Sequence, residues 1–85
     1  MVCEFLPQQY KKRLLEIANI EDLERVGYTR RAAYNAKRLR VISDDRCEKL
    51  VQTLGEKAWP IIEEALREFE REVKELKRSH GDMNE

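Results

Sequence analysis

Apolar residues recur along this chain at intervals of three and four, and nowhere alternate with polar ones over the length of a strand. That period belongs to helices that bury one stripe. Three glycines and two prolines in 85 residues give little to interrupt it, so the pattern predicts an all-α fold of five helices. Pro7 suits a first helical turn, where its missing N–H costs nothing. Tyr10, Leu14, Ile17 and Ala18 follow at helical spacing, predicting a first helix over 7–18. Asn19 is placed to cap a short second helix carrying Ile20, Leu23 and Val26, and Gly27 to end it. Thr29 caps a third over 29–38, whose thin inner face is Ala32, Ala33 and Ala36. Ser43 caps a fourth, with Asp44 and Asp45 at its positive end, a stripe of Cys47, Leu50, Val51 and Leu54, and Gly55 as terminator.

The last helix differs in kind. Trp59, Ile62, Leu66, Phe69, Val73 and Leu76 are spaced alternately three and four apart, a heptad seam with Trp59, Leu66 and Val73 at a and the others at d. Pro60 fixes its start near 58–60, because a proline deeper in a helix costs about 3 kcal/mol. The seam is longer than so short a chain readily covers, which predicts a homodimer through it. Glu72 and Lys77 fall at g and e, where they would attract in a parallel pair, but one such pair is too weak to fix orientation. The organisation expected is a helical body over 1–57, a dimerisation helix over 58–79 and a polar, fraying tail over 80–85.

Lys and Arg total 17 and Asp and Glu total 17, a balance that argues against a nucleic-acid partner only while the chain is averaged. Residues 10–40 hold nine basic and four acidic side chains, and residues 41–85 hold eight against twelve. Between 28 and 40 there are five basic residues and no acidic one. One short helix therefore carries an undiluted positive face with Tyr34 and Asn35 among the charges, following a short helix and a Gly turn, with small residues letting the two helices cross closely. Arg pairs with guanine and Asn with adenine in the DNA major groove.

The segment Ile20-Glu-Asp-Leu-Glu-Arg-Val-Gly-Tyr-Thr-Arg-Arg-Ala-Ala-Tyr-Asn-Ala-Lys-Arg38 resembles a helix-turn-helix of the λ-repressor-like (Cro/Xre) family. Its Val26-to-Tyr34 core is similar to that family's turn and recognition-helix start, although Leu23 stands where the family usually has Ala. More loosely, Leu6 to Leu54 is similar to helix-turn-helix modules of archaeal regulators and recombinases. The resemblance implies that Thr29, Arg30, Arg31, Tyr34, Asn35 and Arg38 face double-stranded DNA, with base contacts from Arg31, Tyr34 and Asn35. It implies flanking phosphate contacts from Lys11, Lys12, Arg13, Lys37 and Arg40. A two-fold dimer would present its two reading helices about 34 Å apart to a pseudo-palindromic site. The implied role is a transcriptional regulator. The competing expectation is a protein-interaction or accessory module, recombinase-associated or antitoxin-like, that binds a partner helix through the 59–76 seam.

The other candidates read as structure. Trp59 is expected to be a core anchor, and Tyr28 to pack inward at the turn. His80 has no second imidazole near it in the sequence, and the glutamates of the last helix interleave with Arg67, Arg71 and Lys74 as a solvated face. Cys3 and Cys47 form no C-x-x-C pair and read as a terminal thiol and a small core residue, without a disulfide framework or zinc site. No apolar run is long enough to span a bilayer, and the N-terminus is unlike an export signal. These patterns predict a soluble, cytoplasmic protein, not an enzyme, with no cofactor, metal or small-molecule substrate.

Overall fold

The computed structural model describes the backbone of residues 2–83 and the side chains of residues 2–80. Its regular structure is helical throughout: α1 (Gln8–Ile17), α2 (Ile20–Val26), α3 (Arg30–Leu39), α4 (Asp44–Leu54) and α5 (Trp59–Met83), with single 3-10 turns at Val2–Glu4 and Gly55–Lys57. The caps are the local signals that the sequence contains. The Asn19 side chain accepts from the Asp22 N–H at 2.7 Å while the Asp22 carboxylate accepts from the Asn19 N–H at 3.1 Å, a reciprocal box opening α2. Thr29 accepts from the Ala32 N–H and Ser43 from the Arg46 N–H at the starts of α3 and α4. Gly27 closes α2 at φ 121°, a region that side chains rarely adopt, and lets the chain turn into α3 within three residues. Pro7 stands one residue earlier than expected, as the cap of α1, where its carbonyl accepts from the N–H groups of Tyr10 and Lys11.

α1 to α4 enclose one core around Leu14, Leu15, Leu23 and Leu50. Leu15 takes an inward place on α1, and Ile17, expected on that stripe, is exposed. α2 lies between α3 and α4, so α3 is held mainly from behind. Ala33 and Ala36 are buried on its inner side, and Ala32 is partly so.

The cysteines correct the reading of the sequence. Cys3 and Cys47 are joined in a disulfide, 44 residues apart, and both are fully buried. The N-terminal 3-10 turn lays Cys3 against α4, where its N–H also donates to Glu48 Oε2 at 3.2 Å. No spacing rule reveals a pair that only this docking brings together. Closing a loop of that length stabilises by about 4 kcal/mol on the chain-entropy account.

α5 begins in the body and leaves it. Ala58, Ile61 and Ile62 are buried and Ala65 packs partly against them, an i, i+3, i+4, i+7 stripe facing the core. The heptad seam lies about 60° round the helix from that stripe, and the two share only Ile62. Trp59 is therefore not the anchor expected: it is 49% exposed, and Ala58 and Ile61 occupy the core in its place. Further out, Leu66, Phe69 and Leu76 are exposed. The helix continues to Met83, through residues 80–83 of the expected tail, and Asn84 and Glu85 lie outside the described residues. Lys74, Lys77 and Arg78 near its negative end favour that continuation, and the single Gly81 costs only about 1 kcal/mol. The molecule measures 58 × 23 × 18 Å, long because α5 projects from it.

Candidate nucleic-acid interface

α3 sorts its side chains by angle. At 100° per residue, Arg30, Tyr34, Arg38, Arg31 and Asn35 fall within an arc of about 140°, and all five are exposed. Ala33 and Ala36 occupy the opposite side, against the body. The helix contains no acidic residue, so nothing on it neutralises the outer face. Arg31, Asn35 and Arg38 make no ion pair or side-chain hydrogen bond among the described residues, which leaves their donors to water. Arg30 is partly held: its guanidinium lies 3.4 Å from Glu24 of α2 and 6.0 Å from the centre of the Tyr34 ring. The spacing along α3 alone does not show Glu24, which the tight turn brings alongside.

Thr29 sits at the entrance of this face. Its oxygen is used as the helix cap, and its hydroxyl hydrogen is still available as a donor. Tyr28 packs inward as expected, beneath the guanidinium of Arg46, 4.4 Å from its ring centre. That cation–π contact ties the turn to α4.

Two of the flanking cations have structural posts instead. The Lys37 ammonium donates to the Leu15 carbonyl at 3.0 Å, to Glu16 at 3.3 Å and to the Ala18 carbonyl. α1 ends without a left-handed residue, and Lys37 satisfies its open carbonyls from α3. Lys11 is 7% exposed, with its ammonium 2.6 Å from the exposed Asp44 carboxylate, so it joins α1 to α4. Both ammonium groups thus have partners within the protein. Helical spacing held the signal: Lys37 is four residues after the buried Ala33, and Lys11 four before the buried Leu15. Arg40 ends α3 in the left-handed conformation, 3.5 Å from Glu16, and stays exposed. Arg13 lies 2.6 Å from Glu64 of α5, and that carboxylate's hydrogen bond pushes its guanidinium pKa up. Of the α1 cations, Lys12 alone is exposed without an ion pair among the described residues.

The expected seam residues do not act as one unit. Ile62 is buried in the body, Val73 is half-buried, and Trp59, Leu66, Phe69 and Leu76 are open to solvent. Among the described residues, no group of three or more His, Cys, Asp or Glu is placed to hold a metal ion, and no helix is long and apolar enough to cross a membrane. No family model, curated protein or solved structure matches the chain.

Proposed function

We propose that the protein is a helix-turn-helix, λ-repressor-like binder of double-stranded DNA that works as a homodimer, most simply as a transcriptional regulator, with α3 read into the major groove. One observation carries the reading: α3 presents Arg30, Arg31, Tyr34, Asn35 and Arg38 on a single exposed face with no acidic residue among them. Arg31 and Asn35, without partners among the described residues, are the base-reading side chains, and Thr29 and Arg30 meet the backbone at the helix start. Lys12 and Arg40 flank them as phosphate contacts. The acidic residues of α4 and α5 turn the molecule by repulsion, so that α3 meets the phosphates first.

Selection of bound sequences from random DNA tests this directly, because it returns both base preference and half-site spacing. Affinity should fall steeply with salt; about six phosphate contacts give a log–log slope near −5. A slope near zero would sink the reading. The exposed Leu66, Phe69 and Leu76 favour a second reading, in which α5 receives a partner protein and the basic face keeps the module in solution. A chain that ignores DNA at low salt and still binds a partner through Phe69 would establish it.

A further inference from the structure

The α5 seam does not face open solvent along its whole length. Between the N-terminal segment and α5 lies an apolar groove of about 820 Å³, walled on one side by Val2, Phe5 and Leu6 and on the other by Ala65, Leu66 and Phe69. Phe5 is 83% exposed although its neighbours on both sides in the groove are apolar. The disulfide at Cys3 fixes that first wall in place. Beyond the groove, α5 runs on through Val73 and Leu76, where Leu76 is exposed.

We propose that two copies pair antiparallel, the projecting half of each α5 lying in the groove of the other. The proposal deepens the homodimer of the reading above and rests on it. Two independent features select this occupant and this direction. The first is charge. Residues 62–70 carry four acidic side chains and one basic, whereas residues 72–80, which face them in an antiparallel pair, carry three basic and two acidic, so each acidic stretch meets one with a slight basic excess. The second is room. In a parallel pair the stretch facing the groove would carry the partner's own N-terminal segment and α1 at the same level, and two bodies would contend for one space. The projecting half carries no body.

The register follows from the apolar residues. With the two-fold axis at Arg71, Leu76 of one copy lies beside Leu66 of the other and Val73 beside Phe69, seating the free half in the groove. Lys77 of one copy then flanks Glu63 of the other, twice per dimer. Glu68 and Glu64 are already engaged by Tyr10 and Arg13 of α1, with Tyr10 and Glu68 lining the groove.

Sedimentation of the full chain should give a dimer, and Phe69→Glu should return it to monomer with its helical circular dichroism intact. Both native cysteines are in the disulfide, so a nitroxide on Ser79→Cys reports orientation alone. Antiparallel pairing puts the two labels about 24 Å apart along the helix axis, and a parallel pair puts them about 10 Å apart. Lys77→Glu should weaken the dimer about fivefold, and adding Glu63→Lys should restore it. A monomer at every concentration would overturn both the homodimer and this arrangement. A dimer with the shorter label distance, or one unmoved by Phe69→Glu, would overturn the antiparallel groove alone and leave the homodimer and the DNA reading standing, since DNA affinity is measured separately.

Discussion

The outer face of α3 and the outer half of α5 are both exposed, and they differ in what exposure costs. Arg31, Asn35 and Arg38 lose nothing in water, because their donors are hydrated until a ligand replaces the solvent. Leu66, Phe69 and Leu76 are exposed at 53%, 63% and 63%, and each square ångström of apolar surface they could bury is worth about 25 cal/mol. A cationic face can therefore wait for its ligand, whereas an apolar stripe drives association in the absence of any. Each helix buries a face of small or branched residues, but α3 exposes a polar face and α5 an apolar stripe as well. The difference lies in where the body stops covering them.

Four changes should pull the two surfaces apart, beginning with the disulfide. Reducing it, or replacing Cys3 and Cys47 by Ser, should lower stability by about 2–4 kcal/mol in denaturant melts. It should also weaken dimerisation more than DNA binding per half-site, because the wall that it fixes borders α5 and lies away from α3. Equal losses in both would mean that the groove wall is not part of the association surface. On the α3 side, Asn35→Ala or Arg31→Ala should relax discrimination at one base position by about 1–3 kcal/mol, while Lys12→Ala weakens all sequences alike. Binding assays on a target and on scrambled DNA separate the two effects.

Lys37 sits on the charged helix and belongs to neither surface. Lys37→Met should cost about 1–2 kcal/mol of folding stability by stripping the carbonyls at the end of α1, and it should leave the salt slope of DNA binding where it was. A slope shallower by about one unit, with stability unchanged, would return Lys37 to the phosphate contacts. The smallest effect lies where α1 clamps α5. The Glu68 carboxylate accepts the Tyr10 hydroxyl, and that hydrogen bond, followed by burial and the negative charge of Glu68, raises the Tyr10 pKa above its ordinary 10.0. A raised acid favours its neutral form in the native state, so the contribution is present in full below pH 10 and is lost as pH climbs through the raised value. Melting temperature measured across that range should fall more for the native chain than for Tyr10→Phe.

The helices were legible because each is fixed by residues within a turn or two of one another. Asn19 with Asp22, Thr29 with Ala32 and Ser43 with Arg46 form caps over three residues, and the buried stripe of α4 repeats every three or four. The outward set on α3 was legible for the same reason, since the angle between Arg31 and Asn35 is set by the helix itself. Trp59 was misread because two apolar stripes overlap at Ile62 and periodicity does not say which of them the body covers. The internal partners of Lys11 and Lys37 were not legible because a cation's sign is visible in the sequence while its partner lies on another helix.

The sequence by itself determined the helical class, the caps and the separation of basic from acidic segments, all properties of near neighbours along one chain. Only the tertiary structure decided that Cys3 meets Cys47, that Lys37 closes α1, that Lys11 is buried beside Asp44, and that the seam of α5 is buried at Ile62 and exposed at Trp59, Leu66, Phe69 and Leu76. The physical reason is distance along the chain. A hydrogen bond or apolar contact across four residues is written into their spacing, whereas one across 22, 33 or 44 residues exists only once the intervening helices have packed.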